Sequence, residues 1–195
     1  STEIHLTMMN HWKTTTRRGF VLIAIYLGGA LGLLARDEVE PAVPSALEEL
    51  QWMVGTWTHD SEGMLVTMTT GWSESRDALQ RELEIRLGTS EPVRVSQTIF
   101  WDSVTKELRS RGTCSDGTAT TGVWRVADKA AHNTCTITFA DGRTGTAVNT
   151  WEIDEFRHCV FSAAKRTIDG KRSFDIAPTE FGAQGGREQW AVLGR

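Results

Sequence analysis

The sequence predicts an all-β protein, an antiparallel up-and-down barrel of about 8–10 strands, preceded by one membrane-spanning helix and one short helix. Three observations carry the prediction. Apolar and polar residues alternate at period two in run after run, Asp-Gly pairs fall between the runs, and no helix of more than a turn or two interrupts them beyond Gly55. A parallel βαβ sheet is thereby excluded, since each of its crossovers needs a helix.

The chain of 195 residues carries a formal net charge of −4. Lys13, Arg17, Arg18 and Arg36 against Glu3 give the first 36 residues +3, which leaves −7 for the remainder. An acidic body with scattered basic residues argues against a nucleic-acid partner, because phosphate binding is driven by clustered Lys and Arg.

Between Arg18 and Arg36 runs GFVLIAIYLGGALGLLA, an uncharged segment over residues 19–35. As a helix it spans roughly 26 Å, near the lower limit for crossing a bilayer. Lys13, Arg17 and Arg18 precede it and Asp37, Glu38 and Glu40 follow. That bias places residues 1–18 in the cytoplasm as a tail and the body on the periplasmic side of an inner membrane. A cleaved leader is the competing reading, with Leu33-Leu34-Ala35 as a poor cleavage site. Gly28, Gly29 and Gly32 would let a neighbouring membrane helix approach closely, although glycine is also common in membrane helices generally.

Residues 36–46 read as a linker, acidic and containing Pro41 and Pro44. Ser45 and Glu48 then form a capping-box pattern opening a brief helix through Leu47, Leu50 and Met53, which stops at Gly55. Within residues 47–195 the period changes. Leu83, Ile85 and Leu87 alternate with Glu82, Glu84 and Arg86, so the glutamates belong to a wet face. Similar runs recur at Met64–Thr70, Val93–Trp101, Lys106–Gly112, Thr118–Val126, Asn133–Phe139, Thr144–Ile153, His158–Arg166 and Glu188–Leu193. Asp116-Gly117, Asp141-Gly142 and Asp169-Gly170 supply tight hairpin turns between them. A barrel is favoured over a sandwich because closure removes exposed strand edges.

The segment LEELQWMVGTW, Leu47 to Trp57, resembles the opening of lipocalin-like domains, where a short helix leads into Gly-x-Trp on the first strand. With GWSESRDAL, IFWDSVTKELRS, SDGTATTGVWRV and ADGRTGTAVNTWEID following in order, the chain is similar to an uncharacterised bacterial lipocalin-like family often appended to SnoaL-like proteins. The resemblance covers roughly Leu47 to Leu193 and implies a fold without an established activity. It also implies that Gly55 and Trp57 close one barrel end, with Arg187 over the Trp57 ring as a structural cation–π contact.

Eight tryptophans are many for this length. Trp72, Trp101, Trp124 and Trp151 fall on predicted strands, as wall residues for a flat or lipophilic ligand or as core filling. His59, His132 and His158 show no metal-ligand spacing, and Cys114, Cys135 and Cys159 include no C-x-x-C pair. One disulfide among the three is open. No nucleophile elbow, P-loop or dinucleotide fingerprint occurs. No metal, no cofactor and no catalytic residue is therefore expected.

Two functional expectations follow. The first is a non-catalytic, single-pass accessory subunit whose partners are other integral membrane proteins and, through residues 19–35, the bilayer. The second is a tethered module whose barrel binds a small lipophilic molecule.

Overall fold

Extended backbone sends successive side chains to opposite faces, which is how a period-two sequence separates apolar from polar groups. In the computed structural model, which describes residues 45–184, such backbone dominates. A single helical turn, α1 (Ser45–Glu48), and a 3-10 turn over Gln51–Met53 come first. The strands are β1 (Gly55–Ser61), β2 (Met64–Trp72), β3 (Ala78–Leu87), β4 (Val93–Asp102), β5 (Glu107–Cys114), β6 (Ala119–Ala127), β7 (Ala130–Thr138), β8 (Thr144–Ile153), β9 (Cys159–Ile168), β10 (Lys171–Arg172) and β11 (Ile176–Ala183).

From β1 to β9 each strand pairs antiparallel with the next. Strand β11 pairs with both β9 and β1, so ten strands close into an all-β barrel while β10 only extends the β9 hairpin. The backbone groups that an open sheet would leave at its edges are thus paired around the ring.

Turn chemistry sets the register. Asp169 and Gly170 have φ of 49° and 74°, and Glu62 and Gly63 have 50° and 80°, the pairs of positive values that two-residue hairpins need. At the other two Asp-Gly turns the aspartate side chain binds the chain ahead of it. Asp116 Oδ1 accepts from the Thr118 N–H at 2.8 Å and Asp141 Oδ1 from the Arg143 N–H at 3.1 Å.

One end of the barrel is sealed. Leu47 and Leu50 from the helical segment are wholly buried there, with Met53 and Trp57 beside them. Each buried leucine contributes about 1.5–3 kcal/mol. The seal is also pinned by polar contacts: the Trp57 indole donates to the Met53 carbonyl at 3.1 Å and the Trp72 indole to Gln51 Oε1 at 2.6 Å. Gly55, at a φ of 128°, starts the strand that carries Trp57 into this seal.

The closing strand is a finding beyond the sequence reading. Ile176–Ala183 contains Pro178 and Gly182, which interrupt a strand-like pattern. Its register against β9 shifts between Ile176 and Thr179, around the proline that has no N–H to give. A second irregularity, between Thr146 and Val148 on β8, faces Lys165 at a φ of 53° on β9. Residues 1–18, 19–35 and 36–44, with Gly28, Gly29 and Gly32, lie outside the described residues, as do Arg187 and the expected run Glu188–Leu193. Among the described residues no helix is long and apolar enough to cross a membrane.

Gly122 on β6 shows how tightly the middle of the barrel is filled. A Cβ there would collide with the side-chain amide of Asn133 on β7. Gly122→Ala is therefore expected to destabilise by about 1–3 kcal/mol. Urea unfolding should show a lower midpoint with an unchanged slope; an unchanged midpoint would mean that the amide moves aside freely.

Candidate functional site

The inward face of the barrel is uneven in size. From β5 to β9 it carries Ser110, Gly112, Gly122, Cys135, Ala147 and Ala163, small residues that are all buried. Large groups come from the sealed half: Trp124 and Trp151 stack with ring centroids 5.1 Å apart and planes inclined by 21°, and Phe161 packs on Trp151, also at 5.1 Å. Trp72 and Trp101 pack against the core from partly buried positions. Of the four tryptophans singled out from sequence, Trp124 and Trp151 meet in mid-barrel, whereas Trp72 is bound to the sealing turn.

Against the Trp124–Trp151 stack lies a side chain that was not singled out. Arg81 on β3 is 1% exposed, and its guanidinium carbon sits 4.5 Å from the Trp151 centroid and 5.7 Å from that of Trp124. Its Nη1 donates to Gln97 Oε1 at 3.1 Å and its Nη2 to the Met68 sulfur at 2.7 Å. No carboxylate among the described residues pairs with it. Outside the barrel the opposite holds: Arg86 and Arg94 bind Glu84, Arg109 binds Asp102, Arg125 binds Glu107 and Arg143 binds Asp141. Ion pairs stand where water makes them worth little, and none stands where the charge is dry.

Burying an unpaired cation costs of the order of several kcal/mol even after relaxation. A desolvated cation–π contact returns about 2 kcal/mol or more. Burial pulls the Arg81 guanidinium down to about 10 from its ordinary 12.5, so it keeps its charge at neutral pH. One charge-assisted hydrogen bond to an oxygen and two aromatic faces therefore hold an ion that has unused donors.

Those unused groups cluster. Arg81 Nε, Thr70 Oγ1, Trp124 Nε1 and Asn133 Oδ1 are buried without a hydrogen-bond partner among the described residues, as is Trp52 Nε1 in the 3-10 turn. Thr70 is the register partner of Arg81, and Asn133 that of Trp124. Four orphaned polar atoms joined through adjacent side chains are an exception to the rule that buried polar groups are satisfied. Above this layer, away from the seal, the inward residues Leu83, Val95, Cys114, Thr120 and Ile137 are only partly buried. Gln97, itself partly buried, is the register partner of Arg81 on β4 and stands beside it.

The sequence carried a signal for Arg81, though a quiet one. It occupies the same strand phase as Leu79, Leu83 and Ile85, so a period-two reading of β3 places a charge on the apolar face. Gln97 stands likewise among Val95, Ile99 and Trp101, and Asn133 between Ala131 and Cys135.

Other candidates disperse. His59 Nδ1 contacts the Glu180 carbonyl at 2.8 Å, His132 Nδ1 the Thr150 hydroxyl at 3.0 Å, and His158 Nδ1 the Asp154 carboxylate at 3.1 Å. Among the described residues no three metal-ligating side chains converge. A shallow polar depression on the outside of β2 to β4, between Thr67, Thr69, Glu82, Glu84 and Arg94, is occupied by the Glu84 ion pairs. Arg86 and Arg94 beside Glu84 hold its carboxyl below the usual range.

The three cysteines are free thiols. Burial pushes Cys159 up to about 12 from 9.0, with Arg81 nearby acting in the opposite direction. Because the folded value lies above the unfolded one, the folded state keeps the proton longer. The associated stability is complete below about pH 9 and is lost as pH rises toward about 12. In the folded protein at mildly alkaline pH, a thiol reagent should modify half-exposed Cys114 well before Cys135 or Cys159; rapid labelling of Cys159, read by mass spectrometry, would contradict this packing. Compared with known proteins, the chain matches no family model and no curated protein.

Proposed function

We propose that the barrel is a binding module for a small lipophilic molecule, admitted through the unsealed end and held against the Trp124–Trp151 layer. The observation that carries this reading is the asymmetry of the interior. One end is plugged by Leu47, Leu50, Met53 and Trp57, while inward apolar side chains at the other, including Val95 and Ile137, stay partly exposed and stand apart from the core cluster. Closed barrels of this size can hold a single small ligand. Apolar walls with a few placed polar groups are the usual composition of such sites. The resemblance of Gly55-Thr56-Trp57 and its leading helix to lipocalin-like openings is consistent with it.

Tethering is part of the proposal. Residues 19–35, with basic residues before and acidic residues after, would hold the barrel beside a membrane, where lipophilic molecules are concentrated. The second reading, an accessory subunit among integral membrane partners, draws on the same segment and its Gly28, Gly29 and Gly32.

The test uses the full chain in maltoside micelles and ω-bromodecanol, whose bromine quenches tryptophan only at close range. Saturable quenching of the blue-shifted emission of the buried tryptophans is expected, and Val95→Phe, which narrows the open end, should weaken it several-fold. Emission that stays unquenched, or quenching that grows linearly and equally in both proteins, would remove the binding reading.

A further inference from the structure

The unpaired cation at the floor of the open half says something about what enters it. A purely neutral ligand makes no use of a charge. Apolar barrels have no need of an arginine for stability, and replacing buried charge by well-packed apolar groups is often neutral or favourable. Arg81 nevertheless occupies an apolar-phase position on β3, wholly buried, with its Nε unpartnered. Thr70 Oγ1 and Trp124 Nε1, also without partners, add two further groups able to donate.

Its one oxygen partner is a neutral amide. Gln97 Oε1 accepts from Nη1 at 3.1 Å, while Gln97 Nε2 holds only a long contact, 3.4 Å, to the Ser110 hydroxyl. The side chain is thus weakly fixed on its far side and stands beside the cation as its cross-strand neighbour, next to partly exposed Val95 along the same face of β4. Turning it away would open the guanidinium to the interior without breaking any close hydrogen bond other than the one being exchanged.

We infer that the molecule bound in the barrel carries one carboxylate, and that Arg81 receives this head where Gln97 Oε1 now sits. The exchange replaces a neutral acceptor by a charged one, and charge-assisted hydrogen bonds are roughly twice as strong as neutral ones. It also supplies the missing counter-charge. The apolar remainder of the molecule then lies toward Val95 and Ile137, away from the seal. A planar carboxylate suits a guanidinium that still has free donors better than a bulkier, doubly charged phosphate does in so confined a space. The inference rests on the binding reading above and narrows it to apolar monocarboxylic acids.

The experiment pairs carboxyl-labelled decanoate, followed by carbon NMR, with ω-bromodecanol quenching, on the full chain in the same maltoside micelles. A bound carboxyl signal distinct from the micellar one is expected, remaining ionised to lower pH than decanoate in micelles alone. Arg81→Met should weaken decanoate binding by about 10- to 100-fold, the loss of a hydrogen bond to a charged group, and leave bromodecanol quenching in place. Gln97→Leu should tighten decanoate binding several-fold, because it removes the competing acceptor, and this second variant leaves the charge untouched. Comparing variants in identical micelles cancels partitioning. If bromodecanol quenches saturably but the carboxyl titrates as in micelles, or decanoate binds Arg81→Met as well as the parent, the head-group inference is overturned while the binding reading stands. If bromodecanol fails to quench, the binding reading falls and takes the inference with it.

Discussion

A guanidinium in the middle of an apolar barrel sets the terms for everything around it. Arg81 keeps its charge at neutral pH, since burial lowers its guanidinium only to about 10, and two indole faces, Gln97 and the Met68 sulfur lie around it. The Trp124–Trp151 stack lies against that ion, and small buried residues line the inward face of β5 to β9. Toward the seal the inward side chains are buried in the core cluster; away from it Val95, Cys114, Thr120 and Ile137 are only partly buried. The same residue therefore marks the boundary between a half of the barrel whose packing is complete and a half whose packing is not.

Ring closure makes this arrangement rigid. Ten strands paired around the circuit leave Arg81 no route outward, since β3 is held on both sides by β2 and β4 through long, unbroken registers. The irregular pairing lies elsewhere, where β9 meets β8 and β11. A cation on an edge strand would turn into water; a cation on a central strand of a closed barrel must find its partners inside. Thr70, the register partner of Arg81, and Trp124, whose ring it overlies, carry orphaned polar atoms beside it.

Much of the fold was legible in the sequence because it is written in local chemistry. The Asp-Gly pairs marked turns that the barrel contains, the alternation in β3 gave its faces, and the resemblance carried by Gly55-Thr56-Trp57 marked the first strand. Strand β11 was not legible, since Pro178 and Gly182 contradict strand propensity and only ring closure stabilises it. Trp124 and Trp151 could be placed on strands but not together, because their contact is set by register between β6, β7 and β8. Arg81 was passed over for a different reason: a charged residue in a strand reads as surface by default, although it shares the phase of Leu83 and Ile85.

Arg81 serves either a ligand or the fold, and thermal unfolding of Arg81→Met beside the parent protein, at neutral pH and without added ligand, separates these directly. An ion without a counter-charge, surrounded by apolar groups, should not be missed when a methionine of similar length fills its place. An unfolding temperature equal to or above that of the parent is the predicted result. A loss equivalent to about 3–5 kcal/mol, the signature of a broken buried pair, would show Arg81 to be a structural element of the barrel and would contradict the central claim.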